Sequence, residues 1–152
     1  MKYAAKTSVS SEKSKAEIEQ LLTKYGASSF ASGWQGDLAT IVFSMADRRI
    51  KFILPLPKKD AREFTHSPNK GLRRSDADAY KAWEQATRQR WRALALVVKA
   101  KLEAVDSGIT SFEHEFMAHI VMPDGKTVSD HALPMIAAAY QSGKVQALLP
   151  GW

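Results

Sequence analysis

The spacing of apolar residues changes along this chain, and each change marks a predicted element. Near the N-terminus, apolar residues recur at steps of three or four, at Ile18, Leu21, Leu22 and Tyr25. This spacing places them on one face of an α-helix. Ser10 or Ser11 can cap the helix, and Gly26 suits its end. Charges of both signs on its other face, Lys15 among them, indicate a scaffold helix behind a flexible arm of residues 1–9.

Residues 28–56 alternate between apolar and polar positions, which is the period of a β-strand. Turn residues divide them into a short segment around Phe30 and Trp34, then Leu38–Met45, then Arg49–Leu54. The pattern predicts a three-stranded antiparallel meander with Arg49 and Lys51 on its outer face.

The longest apolar repeat predicts one helix from Ser75 to Gly108. It runs without Pro or Gly through Tyr80, Trp83, Thr87, Trp91, Leu94, Val98, Leu102 and Val105. Ser75 and Asp78 fit a capping box, with Asp in place of the usual Glu, and Gly108 suits a left-handed C-cap. At 1.5 Å per residue the helix is about 45 Å long, so its middle is expected to support the core.

The remaining segments are shorter. Residues 57–74 contain few large apolar residues and several turn formers, which predicts a basic, mobile loop. Thr110 and Glu113 fit a capping box for a short helix carrying an apolar face of Phe112, Phe116 and Ile120. A last helix is predicted over Leu133–Ser142, with Pro134 tolerated only in its first turn.

Together these elements predict a single α+β domain over residues 1–152. Its order is an N-terminal helix, a three-stranded antiparallel sheet, a long central helix and two shorter C-terminal helices. The tail from Val145 to Trp152 holds Leu148 and Leu149, which are expected to pack back or to meet a partner.

Composition narrows the function classes. The chain has no cysteine, which excludes disulfides, thiolate nucleophiles and cysteine zinc sites. No window approaches the roughly 20 apolar residues of a membrane span, and the N-terminus lacks the apolar run of a signal peptide. We therefore expect a cytoplasmic protein without a membrane partner.

Charge is polarised along the chain, although the net charge is only +6. Residues 48–101 hold 15 basic and 5 acidic side chains, a local +10, whereas the rest holds 7 basic and 11 acidic, a local −4. A localised positive field is what a phosphate backbone recognises at any sequence. Glu84 is the only acid between Tyr80 and Leu102. A solvated helix face and a polyanion-binding face both fit this pattern.

The second interpretation predicts ten nucleic-acid contacts, grouped by element. The long helix supplies Lys81, Arg88, Arg92 and Lys99, the sheet supplies Arg49 and Lys51, and a closing arm supplies Lys58, Lys59, Arg73 and Arg74. Aromatic residues interleaved with arginine are typical of single-strand binding. Because Trp83 and Trp91 fall on the apolar stripe, the stacking aromatics would come from Trp34, Phe64 or Tyr80.

A metal site and catalysis find less support. Three histidines lie near acids in the C-terminal third, at His114, His119 and His131, but without an established ligand spacing. Asp124 and Lys126 share a turn that lacks a convincing second acid for nuclease chemistry. No phosphate loop, dinucleotide fingerprint or paired nucleophile and base appears. We predict no metal, no cofactor and no catalytic residue.

The run from Trp83 to Leu94, with Lys99–Val105, resembles a small protein family encoded by bacteriophages and prophages. The similarity extends to Ile109–Glu113, to Pro123-Asp124-Gly125 and to two further segments, Ser11–Lys15 and Leu54–Pro57. The resemblance implies a phage protein of the bacterial cytoplasm, acting in DNA metabolism or against host defence. It implies no activity and no functional residue.

The leading function is thus non-catalytic nucleic-acid binding, with single-stranded DNA as the expected partner. An alternative is a protein-interaction module that inhibits a host or defence enzyme through its apolar tail and acidic C-terminal third. A second alternative is a metal-dependent nuclease using Glu115 or Asp124. The long apolar stripe also allows a homo-oligomer.

Overall fold

The computed structural model describes residues 4–145 and has the predicted α+β architecture. Three antiparallel strands form one sheet in chain order. The elements are α1 (Ser11–Lys24), β1 (Ser29–Gln35), β2 (Leu38–Met45), β3 (Arg48–Pro55), α2 (Arg62–Thr65), α3 (Asp76–Asp106), α4 (Phe112–Phe116), a 3₁₀ turn (Met117–His119) and α5 (Val128–Ser142). The predicted contacts of Leu148, Leu149 and Trp152 lie outside the described residues.

Local chemistry fixes both ends of the long helix where the sequence predicted them. The Ser75 hydroxyl accepts a hydrogen bond from the Asp78 amide at 3.2 Å, and Gly108 follows the helix with φ of 79°. Ser10 caps α1 in the same way, through the Lys13 amide at 3.1 Å. Within residues 4–145, no helix is long and apolar enough to cross a membrane.

The core lies between one face of the sheet and the helices α1, α3 and α4. Its buried side chains are Ile18, Leu22, Ala39, Ile41, Phe43, Met45, Ile50, Phe52, Trp91, Leu94, Ala95, Val98, Leu102 and Phe116. The Phe116 ring meets Phe43 and Phe52 edge-on, at centroid distances of 6.0 and 6.3 Å. Burial of these aromatic rings supplies much of the apolar area that holds the sheet to the helices.

The predicted cap and the predicted extent of the short helix after α3 are wrong. Ser111, not Thr110, caps α4, because its hydroxyl accepts the His114 amide at 3.2 Å. The helix ends at Phe116, and Ile120 instead forms a β-bridge with Ile50 at the free edge of β3.

The last helix begins five residues earlier than predicted, at Val128 rather than Leu133. Thr127 and Asp130 form a reciprocal capping box, with backbone-to-side-chain bonds of 2.9 and 3.2 Å. Pro134 therefore lies in the second turn rather than the first, where it removes one backbone hydrogen bond to the carbonyl of Asp130.

Residues 57–74 contain more structure than the predicted loop. They form the helical turn α2, bury Phe64 and bridge His66 to Arg73. The Arg74 amide also donates to the Thr65 carbonyl at 2.8 Å. In the predicted N-terminal arm, the Thr7 carbonyl accepts a hydrogen bond of 2.8 Å from the side-chain amide of Gln85 in α3. The mobility of the arm and of the loop stays a prediction.

Candidate nucleic-acid interface

A groove of about 1080 Å³ lies between the start of α1, the β1–β2 hairpin and the N-terminal half of α3. Its aromatic lining residues are Trp34, Tyr80, Trp83 and Trp91, and its charged lining residues are Glu12, Lys15, Asp37, Lys58, Lys59, Asp60, Glu84 and Arg88. Cationic and aromatic side chains thus meet at one site, which is the material of single-strand recognition.

The groove exists because small side chains line the sheet opposite α3. Trp34 pairs with Ala39 across the sheet, and Ser32 pairs with Ile41. Partners directly opposite each other share a face, so Trp34 and Ser32 project from the same face as the core. Ser32 and Ala39 are too small to reach across to α3. Trp34 therefore faces open space and is 76% exposed.

Trp83 ties the segment after β3 to the long helix. Its indole Nε1 donates to the Pro57 carbonyl at 2.8 Å. The Lys59 Nζ lies 4.6 Å from the centroid of the Trp83 ring and 5.4 Å from that of Tyr80. Such cation–π contacts hold Lys59 at the groove, where no carboxylate of residues 4–145 pairs with it.

Trp91 lies at the base of the groove and is buried, as its place on the apolar stripe predicted. The Lys15 Nζ of α1 lies 4.7 Å from the centroid of its ring. Tyr80 is half exposed, whereas Phe64 is buried in the α2 turn. Of the three aromatics predicted to stack on bases, Trp34 and Tyr80 are therefore accessible and Phe64 is not.

Among residues 4–145, the charges lining the groove balance, with four basic and four acidic residues. Two pairs are internal: Arg88 contacts Glu84 at 2.7 Å, and Lys58 lies 4.0 Å from Asp37. Excess positive charge comes from the adjoining residues 57–74, which hold six basic and two acidic side chains. The positive field is therefore strongest along one rim, rather than throughout the groove.

The ten predicted contacts do not share one surface. Lys58, Lys59 and Arg88 line the groove. Arg73 joins Lys59 at a smaller adjoining cavity of about 270 Å³. Arg74 also lies in the segment 57–74, but its guanidinium donates a hydrogen bond to the Phe64 carbonyl at 3.1 Å. Lys81 is exposed on the first turns of α3 but lines neither cavity. Neither cavity is lined by the remaining four predicted contacts, Arg49, Lys51, Arg92 and Lys99.

Four of the predicted phosphate contacts lie away from the groove. The Arg92 guanidinium bonds the Glu17 carboxylate and so joins α3 to α1. The side chains of Arg49 and Lys51 lie on the sheet face opposite the core. At the edge of the sheet, the backbone carbonyl of Arg49 accepts a hydrogen bond from the Val121 amide at 2.8 Å. Lys99 is exposed about 17 Å along α3 from Arg88, at 1.5 Å per residue.

The C-terminal histidines and acids pair locally. Glu115 contacts Lys101 at 3.3 Å, and Asp124 contacts the His131 ring at 2.7 Å. The Lys126 amide is the main reason that the pKa of Asp124 lies below its usual value, with His131 adding to the effect. Across residues 4–145, no three such side chains are grouped to hold a metal ion.

His119 stacks on Phe52 at a centroid distance of 3.9 Å. Burial lowers the pKa of His119, the positive charge of Lys101 lowers it further, and a hydrogen bond to the Lys51 backbone opposes both. Burial and the charge of Lys101 thus favour the neutral form of this imidazole, which packs against Phe52.

The sequence does not indicate that α1 contributes to the groove. Lys15 was assigned to a solvated face, and no periodic signal distinguishes it from its neighbours. Comparison with known proteins adds no further assignment: no protein-family model, no curated protein and no solved structure matches this chain.

Proposed function

We propose that the protein binds single-stranded nucleic acid, with single-stranded DNA as the ligand, in the groove between α1, the β1–β2 hairpin and α3. The observation that carries the proposal is Trp34, a 76% exposed indole on the groove wall. A large aromatic ring held on a strand and open to solvent offers a flat surface on which an unpaired base can stack.

Neighbouring side chains supply the other parts of a single-strand site. Tyr80 is half exposed at the same groove and offers a second ring. Lys58 and Lys59 lie beside these rings, at the edge of the basic segment 57–74. Bases stacked on the aromatic residues would direct their phosphates toward this basic rim.

The charge balance of the groove argues against a duplex as the ligand. A duplex carries one negative charge per roughly 1.7 Å of axis and requires an extended basic surface. The groove instead balances four basic with four acidic residues. Stacking on Trp34 also requires a base that is free of its partner strand. A role in phage DNA metabolism accords with the family resemblance and belongs to this proposal.

Fluorescence anisotropy of labelled oligonucleotides over a salt series tests this function. The informative variant is Lys58→Gln/Lys59→Gln, and its matched control is Arg49→Gln/Lys99→Gln, which removes the same charge away from the groove. Each lost phosphate contact lowers the slope of log K against log salt by about 0.7 for a single strand. We expect the groove variant to lose roughly 1.4 of slope and the control to lose little.

Two results would reject the proposal. One is the absence of binding to single-stranded DNA at low salt. The other is an equal loss of slope in both double variants, since the cations would then act only through net charge. The same titration with duplex DNA and with single-stranded RNA of the same sequence shows which nucleic acid the protein binds most tightly.

A further inference from the structure

Helix α5 presents an apolar stripe that no other described element covers. Leu133, Ile136 and Tyr140 are 62%, 49% and 88% exposed, and none of the residues of α5 is buried. With Ala137 they follow the spacing i, i+3, i+4, i+7, so they share one face of the helix. A contiguous exposed apolar stripe of this kind indicates an interaction surface.

The charges at the two ends of the stripe identify its partner. No acidic or basic residue lies between His131 and Lys144, so a charged partner finds no complement along the stripe itself. Asp130 is exposed in the first turn of α5, and Lys144 is exposed two residues beyond the end of the helix, after the left-handed Gly143. The surface is therefore acidic at one end, basic at the other and apolar between them.

We propose that α5 pairs antiparallel with α5 of a second copy of this chain, about a two-fold axis at Ala137. In this arrangement the end of α5 that carries Asp130 lies beside the Lys144 end of the other copy, and Leu133 faces Tyr140. A parallel pair would place each charge against its own like. An isologous contact of this kind is self-complementary and closes after two subunits.

Side-chain size fits the same arrangement. Ala137 at the axis lets the two helices approach to about 8 Å, the close end of the usual range. Ile136 and Tyr140 then pack on either side of the crossing. No residue of α5 lines the groove, so the nucleic-acid site stays open in the dimer. The inference is thus independent of the proposed function.

The dimer is expected to be weak. A stable interface buries about 800 Å² on each partner, and one pair of helices about 22 Å long buries less than that. Sedimentation equilibrium across a wide range of protein concentration should therefore show a mass that rises from 16.9 kDa toward twice that value.

Two aspartate variants test whether the apolar stripe of α5 forms the dimer interface. Ile136→Asp places a charge in the middle of the stripe and should leave the protein monomeric at every concentration. Ile109→Asp is the matched control, because Ile109 is exposed and apolar but lies after α3. The control should associate like the parent chain, and circular dichroism confirms that both variants fold.

Single cysteines test the direction of pairing, since the chain has none of its own. Under mild oxidation, Ala137→Cys should form a disulfide-linked dimer because the residue meets its own copy at the axis. Leu133→Cys and Tyr140→Cys should cross-link only when mixed with each other. Ile109→Cys serves as the collision control.

Several outcomes would overturn the proposal. A parent chain that is monomeric at all concentrations would do so, as would association that survives Ile136→Asp. Homotypic cross-linking at 133 and 140 would show a parallel pair. A monomer that dimerises only after residues 146–152 are removed would show that the chain's own tail occupies the stripe.

Discussion

Replacing Trp34 by alanine should separate binding from stability. The residue is 76% exposed, so about a quarter of its surface is buried in the folded protein. For an aromatic side chain of about 230 Å², that fraction is roughly 55 Å², worth about 1.4 kcal/mol at 25 cal/mol per Å². The fold should therefore survive the change with a modest loss in its free energy of unfolding.

Binding should respond more strongly. Loss of one base–aromatic stack costs about 1–3 kcal/mol, which corresponds to roughly a 5- to 150-fold increase in Kd. Trp34→Phe keeps a smaller ring and should lose less. Because stacking is not screened by salt, the ratio of the variant's Kd to the parent's Kd should stay nearly constant from low to moderate ionic strength.

Two measurements on the same samples complete the assay. Anisotropy with a labelled thymidine oligonucleotide gives Kd, and urea denaturation gives the free energy of unfolding. Ile109→Ala removes a comparably exposed apolar side chain away from the groove and is expected to bind like the parent. A folded Trp34→Ala protein that binds single-stranded DNA as tightly as the parent would refute the assignment of this groove.

Three further predictions concern the scaffold. The hydroxyl of Ser14 is buried in α1 without a hydrogen-bond partner in the described structure, so Ser14→Ala should raise the free energy of unfolding by about 1 kcal/mol. If urea denaturation instead gives a lower free energy of unfolding, the hydroxyl has a hydrogen-bond partner. Thr127→Ala removes the capping box of α5 and should lower that free energy by about 1 kcal/mol, whereas Thr127→Ser should not. Because burial holds the pKa of His119 below 6.5, the unfolded chain binds protons more readily, so stability should fall as the pH drops through 6.5; His119→Gln should show a smaller fall between pH 7.5 and 5.5.

The order of the elements could be predicted because its signals are local. A run of apolar residues at helical spacing, closed by Ser75 and Gly108, specifies α3 with little help from the rest of the chain. The same locality explains the errors. Thr110 and Ser111 are adjacent candidate caps, and only the geometry of the preceding turn selects Ser111. The start of α5 was missed because Thr127 and Asp130 precede its apolar face.

The candidate site was only partly predictable, because it joins residues far apart in sequence. Composition and spacing predicted Trp34 as one of three candidate stacking residues and Lys58, Lys59 and Arg88 as phosphate contacts, and these four residues line the groove. Lys15 could not be identified, since nothing in α1 indicates which side chain reaches the groove.

Sequence alone thus determined the α+β class, the long helix and the concentration of positive charge in the middle third of the chain, residues 48–101. Only the tertiary structure decided which cations remain available. Arg92 bonds Glu17, a residue 75 positions away, because α1 packs against that face of α3. Periodicity fixes the direction of a side chain around its own helix, but the neighbour it meets depends on how separate elements pack, and that packing set the opening beside Trp34.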